Sequence, residues 1–283
     1  MSGLAGTRLI LVGCGKMGGA MLRGWLARGM APTDVGVVEP NAAVLGDLAG
    51  GGLAGGGVHH AAEPGGLPGD LVPDVVVLAV KPQMMDGAID HYRHLAVGGV
   101  AGGTLFLSIA AGKTMDYFRA HLGEQAAIIR AMPNTPAAIG RGISVAVASE
   151  RATAAQRALA DTLLAACGEV AWVEEEALID PVTALSGGGP AYVFLLMETL
   201  AEAGRKAGLP ADLAMRLARV TVSGAGELAR QSAEPAADLR RAVTSPKGTT
   251  LEALNILMAP DGLQPLFDRA IAAATRRSRE LAG

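Results

Sequence analysis

The sequence predicts an α/β protein in two parts, an N-terminal Rossmann-like doubly wound domain followed by an all-helical domain. Three observations predict this architecture. Short runs rich in Val, Ile and Leu alternate with helical stretches in the first half, a glycine loop follows the first run, and no clear strand run occurs after Glu176. Near-continuous apolar runs suit parallel strands buried on both faces, and their alternation with helices is typical of doubly wound sheets.

Apolar runs predict the strands of the first domain, and the segments between them have the length and apolar spacing of helices. The strand runs are RLILVG, VGVVEP, DVVVLAV, TLFLSIA, AAIIRAM and ISVAVAS. The helical segments are MGGAMLRGWLARG, NAAVLGDLAG, KPQMMDGAIDHYRHL and KTMDYFRAHLG. A further helix over 153–166 and the strand GEVAWVEE close this domain, so we predict domains at 1–176 and 177–283.

The connections are also visible in the sequence. Glycine dominates positions 50–57 and the segment EPGGLPGDLVP follows, which predicts surface loops there. After Glu176 the pattern is almost wholly helical, with breaks at 187–190 and 208–210. Pro190 predicts a kink in a long helix, and the glycines before it allow helices to pack closely.

Composition excludes several classes of protein. Of 283 residues, 50% are hydrophobic and 18% are charged, which argues against a disordered chain. The formal net charge of −3 implies no basic face, so we expect no nucleic-acid partner. Cys14 and Cys167 form neither a disulfide framework nor a metal-ligand pattern. No signal peptide or membrane-spanning run is evident, and we expect a cytoplasmic protein without a membrane partner.

The glycine loop is the first functional motif. In RLILVGCGKMGGAML, Gly13, Gly15 and Gly18 lie directly after a strand and before a helix. Gly13 suits the tight turn, Gly15 leaves room for a pyrophosphate, and Gly18 allows the helix to pack close to the strand. We therefore predict a dinucleotide-binding loop that includes the intervening residues Cys14, Lys16 and Met17.

Glu39 ends the second strand, 21 residues beyond Gly18. A carboxylate at this place can accept hydrogen bonds from the adenine ribose of NADH and would repel the 2′-phosphate of NADPH. The sequence therefore leans toward NADH, although a distant loop could supply an arginine for NADPH. The alternative is that Glu39 is an acid at a helix N-terminus, just before Asn41.

Residues after the later strands are expected to face the same crevice, because ligands of open α/β sheets bind beyond the carboxyl ends of the strands. Three segments qualify: AVKPQ, SIAAG and AMPNTP. From them we predict these cofactor contacts: Ala79, Val80, Lys81, Pro82, Ser108, Ala110, Met132 and Asn134. The last two would lie near the nicotinamide.

The turn TSPKGTTLEAL interrupts the helical second domain at residues 244–254. Hydroxyl residues before a new helix can cap its exposed backbone N–H groups. The second reading is that the helix N-terminus holds an anion, with the hydroxyls in contact with it. This stretch taken alone favours capping.

Taken together, the motifs resemble those of pyrroline-5-carboxylate reductases. GCGKMGGAML, LAVKPQMM, LSIAAG, RAMPNTPAAIGRGIS, DPVTALSGGGPAYVFLLMETLAEAGRKAGLP and SPKGTTLEAL appear in that family's order over nearly the whole chain. The resemblance implies NAD(P)H-dependent reduction of 1-pyrroline-5-carboxylate to L-proline, the last step of proline synthesis. It also implies a homodimer with interlocked helical domains, and higher assembly in some members.

The resemblance also assigns the turn before the last motif to the substrate. It implies that Ser245, Gly248, Thr249 and Thr250 cradle the substrate carboxylate, with Thr250 as the catalytic hydroxyl near the imine nitrogen. It places Ser186, in SGGGP, among the substrate-binding residues, and we expect the segment 186–190 to serve both the dimer-built active site and helix packing. No histidine lies in a matched motif, so we expect the imine to arrive protonated or to take its proton from water.

No metal site is predicted. The five histidines fall in the first domain, on predicted helices or loops, and DHYRH is interpreted as a solvated helix face rather than a metal pair.

Three positions depart from the family pattern: Gly188 replaces a serine, Lys247 a glycine, and Arg241 a residue that is commonly acidic. Lys247 and Arg241 either add positive charge beside the carboxylate site or point to solvent. Two rival functions stay open. One is a reductase of another cyclic imine, or of a β-hydroxyacid, which would need a lysine such as Lys206 as general acid. The other is a non-catalytic dinucleotide sensor.

Overall fold

The computed structural model describes residues 3–46, 57–98 and 103–282, and these contain one eight-stranded sheet. The strands are β1 (Leu9–Val12), β2 (Val35–Val38), β3 (His59–Ala61), β4 (Val75–Leu78), β5 (Leu105–Ser108), β6 (Ala127–Met132), β7 (Gly142–Ala148) and β8 (Gly168–Trp172). The helices of the first half are α1 (Lys16–Ala27), α2 (Asp86–Ile89), α3 (Leu95–Gly98), α4 (Met115–Leu122) and α5 (Ala154–Ala165). Those that follow are α6 (Ile179–Val182), α7 (Gly189–Lys206), α8 (Ala211–Gln231), α9 (Ala236–Ala242), α10 (Thr249–Leu257) and α11 (Leu263–Ala282).

The sheet has the order β3-β2-β1-β4-β5-β6-β7-β8. All neighbouring strands are parallel except β6 and β7, which pair antiparallel. The chain leaves β1 toward β2 on one side and returns to β4 on the other, so the strand order reverses between β1 and β4. This confirms the doubly wound architecture and creates a crevice beyond the carboxyl ends of those two strands.

Alternate residues of the central strands bury into opposite faces of the sheet. Leu9 and Leu11 of β1 join one core cluster, whereas Ile10 and Val12 join the other. The first cluster includes Trp25 of α1, whose indole Nε1 donates to the carbonyl of Leu163 at 2.9 Å. Helices therefore cover both faces, which is why these strands carry apolar residues at most positions.

The predicted strands are all present, but β3 was not foreseen. Its residues His59 and His60 lie on a strand, so the expectation that every histidine lies on a helix or loop is wrong. This three-residue segment contains two histidines and no apolar run, so its sequence does not indicate a strand. It forms a strand because it pairs with β2. The glycine-rich stretch lies outside the described residues, apart from Gly57.

Two predicted helices are shorter than expected. KPQMMDGAIDHYRHL forms a 3₁₀ turn at Pro82–Met84, then α2, then a second 3₁₀ turn at Asp90–Tyr92. Glycine has a low helix propensity, so Gly87 disfavours one long helix in this segment. The interrupted helix buries the side chains of Met85 and Ile89 in the core of the first unit. NAAVLGDLAG forms only a 3₁₀ turn at Ala42–Val44 before the described residues end.

The chain divides into two compact units, Met1–Gly187 with Ala274–Gly283, and Gly188–Ala273. The first unit extends past the expected seam at residue 176, because Ile179 is buried in its core. The end of α11 belongs with it, since the Ser278 hydroxyl donates to Asp180 at 2.7 Å. The breaks near 187–190 and 208–210 are present, but Pro190 lies in the first turn of α7 rather than kinking its interior.

No helix in the described part of the chain is both long and apolar enough to span a lipid bilayer.

Candidate functional site

The glycine loop closes the crevice between β1 and β4. Gly13 has a φ of +91°, and a Cβ built on it would lie 2.9 Å from the backbone nitrogen of Val80. A Cβ on Gly18 would lie 2.3 Å from the carbonyl oxygen of Gly13. Any larger residue at these two positions would push α1 and the β4 end away from the loop. Both glycines therefore have the steric roles that the sequence predicted.

The N-terminus of α1 is open. Gly15 is its N-cap, no side chain caps the helix, and its first turn contains no acidic residue. A Cβ on Gly15 would meet nothing within 4 Å, and Lys16 beside it is exposed. Uncapped N–H groups at a helix N-terminus bind anions, and the bare Gly15 leaves space for one. These residues fit the pyrophosphate of a dinucleotide.

Glu39 contacts the glycine loop directly. Its Oε2 accepts the N–H of Cys14 at 2.9 Å, and its Oε1 accepts the N–H of Asn41 at 3.0 Å. His60 Nε2 lies 2.8 Å from the Glu39 carbonyl, so that nitrogen carries the proton. The helix-cap alternative does not describe Glu39, because Asn41 itself caps the 3₁₀ turn by accepting from Ala43 at 3.2 Å. Each carboxylate oxygen keeps a lone pair free for a ribose hydroxyl.

Cys14 faces the core rather than the crevice. Its side chain is buried, and burial, followed by the nearby Glu39 carboxylate, raises the pKa of the thiol to about 11. The thiol is therefore neutral near pH 7, and only the backbone of Cys14 is placed to contact a cofactor.

The loop after β4 lies beside the glycine loop, and the loop after β5 lies beside the end of β4. The Ala79 N–H donates to the Val12 carbonyl at 2.8 Å, and the Ile109 N–H donates to the Leu78 carbonyl at 3.1 Å. The structure thus brings the predicted loop residues of β4 to the crevice: Ala79, Val80, Lys81 and Pro82. Of these, only Lys81 is exposed.

Ser108 and Ala110 are buried, so their predicted contacts with a cofactor would come from the backbone. The Ser108 hydroxyl accepts the N–H of Ala110 at 3.2 Å, which shapes the start of the loop after β5. The role of both residues in cofactor binding stays a prediction.

Asn134 ties three segments together. Its Oδ1 accepts the N–H of Ile143 at 3.0 Å, and its Nδ2 donates to the carbonyl of Ser186 at 3.3 Å. Met132, two residues earlier, is buried at the end of β6, and its sulfur would lie 3.5 Å from a Cβ on Gly187. The side chain of Asn134 therefore has structural partners, and its proximity to a nicotinamide stays a prediction.

Ser186 lies in a π-helical turn, Thr183–Gly187, between α6 and α7. Its hydroxyl donates to the Val182 carbonyl at 3.2 Å, and the Thr183 hydroxyl donates to the Ile179 carbonyl at 2.7 Å. π-helical turns occur frequently at functional sites. Gly188, which replaces the family's serine, is the N-cap of α7, and no side chain caps this helix.

The hydroxyl-rich turn of the second unit leaves α10 uncapped. Gly248 is the N-cap, and no side chain accepts from the first N–H groups of the helix. Ser245, Thr249 and Thr250 are exposed, and the Gly248 N–H donates to the Ser245 carbonyl at 3.0 Å. The hydroxyls therefore do not act as caps, and the helix N-terminus is available to an anion.

The two basic departures differ. Arg241 pairs with Asp238 on the same helix, so its charge is engaged there. Lys247 is exposed and has a φ of +59°, the only non-glycine residue with positive φ among the described residues.

The sequence analysis did not anticipate a buried ion pair in the first unit. Arg130 of β6 pairs with Glu176, whose Oε1 also accepts the N–H of Met115 at 2.7 Å. Arg130 is buried. The available signal was an arginine inside the otherwise apolar run AIIRAM.

The comparisons with known proteins agree with these motifs. Residues 176–281 match the family model for pyrroline-5-carboxylate reductase dimerisation, and residues 8–112 match the one for NADP oxidoreductase, coenzyme F420-dependent. A pyrroline-5-carboxylate reductase from Pseudomonas aeruginosa is 38% identical over 277 residues, covering 97% of this chain and 97% of its own.

Solved structures give the same result. A pyrroline-5-carboxylate reductase from Coxiella burnetii has a TM-score of 0.88 at 34% identity, covering 98% of this chain and 99% of its own. The Plasmodium falciparum pyrroline carboxylate reductase, solved with NADP bound, has a TM-score of 0.79 at 24% identity and covers 99% of this chain and 100% of its own. The latter likeness shows the fold alone.

Proposed function

The chain belongs to the pyrroline-5-carboxylate reductase family, and we propose how its residues perform that family's reaction. The reaction is the NAD(P)H-dependent reduction of 1-pyrroline-5-carboxylate to L-proline, the last step of proline biosynthesis. The chain is an oxidoreductase whose substrate is an imine that carries a carboxylate.

The cofactor is held by the first unit. The open N-terminus of α1 binds its pyrophosphate, and the segments after β4, β5 and β6 line its path toward the nicotinamide. When bound, the cofactor supplies the hydride that reduces the C=N carbon. The residues of the loop bind and orient it, because alignment of donor and acceptor dominates the rate of such a transfer.

The substrate carboxylate is held by the N-terminus of α10. Ser245, Gly248, Thr249 and Thr250 surround N–H groups that no side chain of the described chain caps, and this is the observation that carries the proposal. Charge-assisted hydrogen bonds to a carboxylate are each worth about 1.5–3 kcal/mol. The Thr250 hydroxyl orients the imine nitrogen, which arrives protonated or takes its proton from water. We also assign Ser186, in the π-helical turn of the first unit, to substrate binding.

Glu39 selects NADH over NADPH. Its carboxylate is fixed at the end of β2 by two backbone N–H groups, so it cannot swing away from an incoming 2′-phosphate without losing both bonds. The Plasmodium relative was solved with NADP, so the fold itself does not exclude that cofactor. We expect Glu39→Ser to narrow the NADH preference by about tenfold, which corresponds to roughly 1.4 kcal/mol.

The helical region, residues 177–283, forms a homodimer and binds the substrate, while residues 1–176 bind the cofactor. The match of residues 176–281 to a dimerisation family supports this division. Two unpaired, buried cysteines support a location in the reducing cytoplasm.

The decisive experiment measures oxidation of NADH and NADPH by the purified protein with 1-pyrroline-5-carboxylate. We expect turnover with both cofactors and a higher kcat/KM with NADH. A preference for NADPH would overturn the role given to Glu39 and leave the enzyme in place. Cofactor binding without turnover would favour another cyclic imine or a dinucleotide sensor.

Thr250 variants test the substrate site. Thr250→Ala should lower kcat by about 10²-fold through loss of one positioned donor, and Thr250→Ser should restore most of it. Cofactor affinity, followed by nicotinamide fluorescence, should be the same in both variants. Equal activity of Thr250→Ala and the wild type would remove Thr250 from the mechanism.

A further inference from the structure

A row of polar side chains joins the helical segments that follow the loops after β4 and β5. Tyr117 and His121 lie four residues apart on α4, and Lys113 lies in the loop two residues before the helix begins. They contact Asp86 and Asp90, also four residues apart, on α2 and the 3₁₀ turn after it. We call these five residues the α4 ladder. Four-residue spacing places side chains on one face of a helix, so the two helical segments meet along matched rows.

The contacts of the α4 ladder are short and continuous. The Tyr117 hydroxyl donates to Asp86 Oδ1 at 2.5 Å, and Lys113 Nζ donates to the same oxygen at 3.0 Å. Lys113 Nζ also lies 3.9 Å from the centre of the Tyr117 ring. His121 Nδ1 lies 2.8 Å from Asp90 Oδ1, and its ring centre lies 4.5 Å from that of Tyr117. Asp86 is thus the point where one donor from α4 and one donor from the β5 loop converge.

The α4 ladder acts on the separation of two loops. The loop from β4 reaches Asp86 through Ala79–Met85, and the loop from β5 reaches Lys113 through Ile109–Gly112. Thr114 then caps α4 by accepting the N–H of Tyr117 at 3.1 Å, and Met115 N–H donates to Glu176. Each loop is therefore held to the sheet at its strand end. The bonds to Asp86 hold the two loops to each other at their far ends.

We propose that Asp86, Lys113 and Tyr117 are positioning residues for the cofactor, which set the spacing of the β4 and β5 loops around its nicotinamide half. The proposal rests on the proposed function only in placing the cofactor in this crevice. None of the three residues lies among the predicted contacts, and they act through the loops rather than on the cofactor itself.

The exposure of Asp86 argues against a role that is limited to stabilising the fold. The Asp86 side chain is 69% exposed, and exposed ion pairs add little to the free energy of unfolding. By contrast, small displacements of the groups that align a reactant lower the reaction rate strongly.

The hydrogen bond from Tyr117 to Asp86 is also present over a wide pH range. The Tyr117 hydrogen bond, followed by that of Lys113, lowers the pKa of Asp86, and burial, followed by the Asp86 bond, raises the pKa of Tyr117.

The test compares Asp86→Asn, Tyr117→Phe and the double variant with the wild type. We expect the KM for the nicotinamide cofactor to rise about three- to tenfold, the range for losing one typical intramolecular hydrogen bond. The KM for 1-pyrroline-5-carboxylate and the melting temperature should stay close to wild type. Asp86→Glu, which keeps the carboxylate, should recover part of the cofactor KM.

Two control variants remove the same chemical groups, a phenol hydroxyl and a carboxylate, at positions outside the α4 ladder. Tyr92→Phe removes a buried phenol hydroxyl that has no partner among the described residues, and Asp116→Asn removes the exposed carboxylate that pairs with Arg119 on α4. Neither should change the cofactor KM. The double variant Asp86→Asn/Tyr117→Phe should be less than additive, because both changes remove the same bond.

A cofactor KM at the wild-type value in both single variants would overturn the proposal, as would a fall in melting temperature that accompanies equal changes in all kinetic constants. Direct titration of cofactor fluorescence gives the same readout without the imine substrate. If the wild type binds cofactor but does not reduce 1-pyrroline-5-carboxylate, the proposed function fails, and the titration still decides the role of the α4 ladder.

Discussion

At the scale of single residues, Lys247 carries a backbone conformation that glycine would adopt without strain. Its φ of +59° lies in the left-handed region, where a side chain costs about 1–2 kcal/mol. Lys247 adopts this conformation without disturbing the start of α10, since the Gly248 carbonyl accepts the first-turn N–H of Leu251 at 3.1 Å.

We predict that Lys247→Gly raises the free energy of unfolding by about 0.5–1 kcal/mol, because relief of strain exceeds the added entropy of the unfolded chain. Denaturant unfolding measures the change. Val243→Gly is the matched control, since Val243 is 69% exposed and has a φ of −100°. The control should lose stability, and a loss in Lys247→Gly as well would contradict the strain argument.

The buried thiol of Cys14 makes a prediction about pH. Burial, followed by Glu39, raises its pKa from 9.0 to about 11, so the folded state favours the neutral thiol. The resulting stabilisation is complete below pH 9.0 and is lost as the pH rises toward about 11. Denaturant unfolding at several pH values should show a smaller decline over this window in Cys14→Ala than in the wild type. An identical decline in both proteins would show that Cys14 does not titrate there.

At the scale of elements, the Arg130–Glu176 pair holds three of them together. Arg130 lies on β6, Glu176 begins the 3₁₀ turn Glu176–Leu178, and the Met115 N–H is at the start of α4. A carboxylate at a helix N-terminus is favourable, and it also neutralises a guanidinium that is buried in the first unit. Removing the acid would leave that charge without a partner.

We predict that Glu176→Ala lowers the free energy of unfolding by about 2–4 kcal/mol. The effect falls short of that for a fully buried pair, because the Glu176 side chain is 33% exposed. Glu174→Ala is the control, since Glu174 is 84% exposed and lies 3.6 Å from Arg157. The control should cost less than about 0.5 kcal/mol. Similar losses in the two variants would argue against a structural role for the buried pair.

At the scale of the whole molecule, the second unit exposes more large apolar side chains than a solvated helix face needs. On α7 the exposed apolar residues are Val193, Phe194, Leu195, Leu196 and Leu200. Neighbouring α8 adds Met215, Leu217, Val220 and Leu228. Contiguous apolar surface of this kind marks a protein interface, in agreement with the dimerisation family that the region matches.

We predict that Phe194→Glu shifts the protein toward monomer at micromolar concentration, because it places a charge in the apolar contact between copies. Light scattering after gel filtration measures the mass. Val97→Glu introduces the same charge at a position on α3 of the first unit that is 84% exposed, and it should leave the mass unchanged. A dimer that survives Phe194→Glu would place the interface elsewhere.

Prediction from sequence succeeded for features that depend on residues close together in the chain. It failed for contacts between residues that are far apart in the chain. The runs that became β1 and β4 are apolar at every position, so their pattern alone indicated burial on both faces. β3 was missed because His59 and His60 gain strand geometry only through pairing with β2. The link from Arg130 to Glu176 spans 46 residues, and no pattern of either segment points to the other.

By itself, the sequence determined the Rossmann-like architecture, the glycine loop, the family and the residues expected at the site, because each depends on residue types at short spacing. The tertiary structure decided that Glu39 bonds the glycine loop, that the hydroxyls before α10 leave it uncapped, and that the α4 ladder links two loops. Those outcomes depend on distances between segments far apart in the chain. The folded core sets such distances, and spacing along the sequence does not record them.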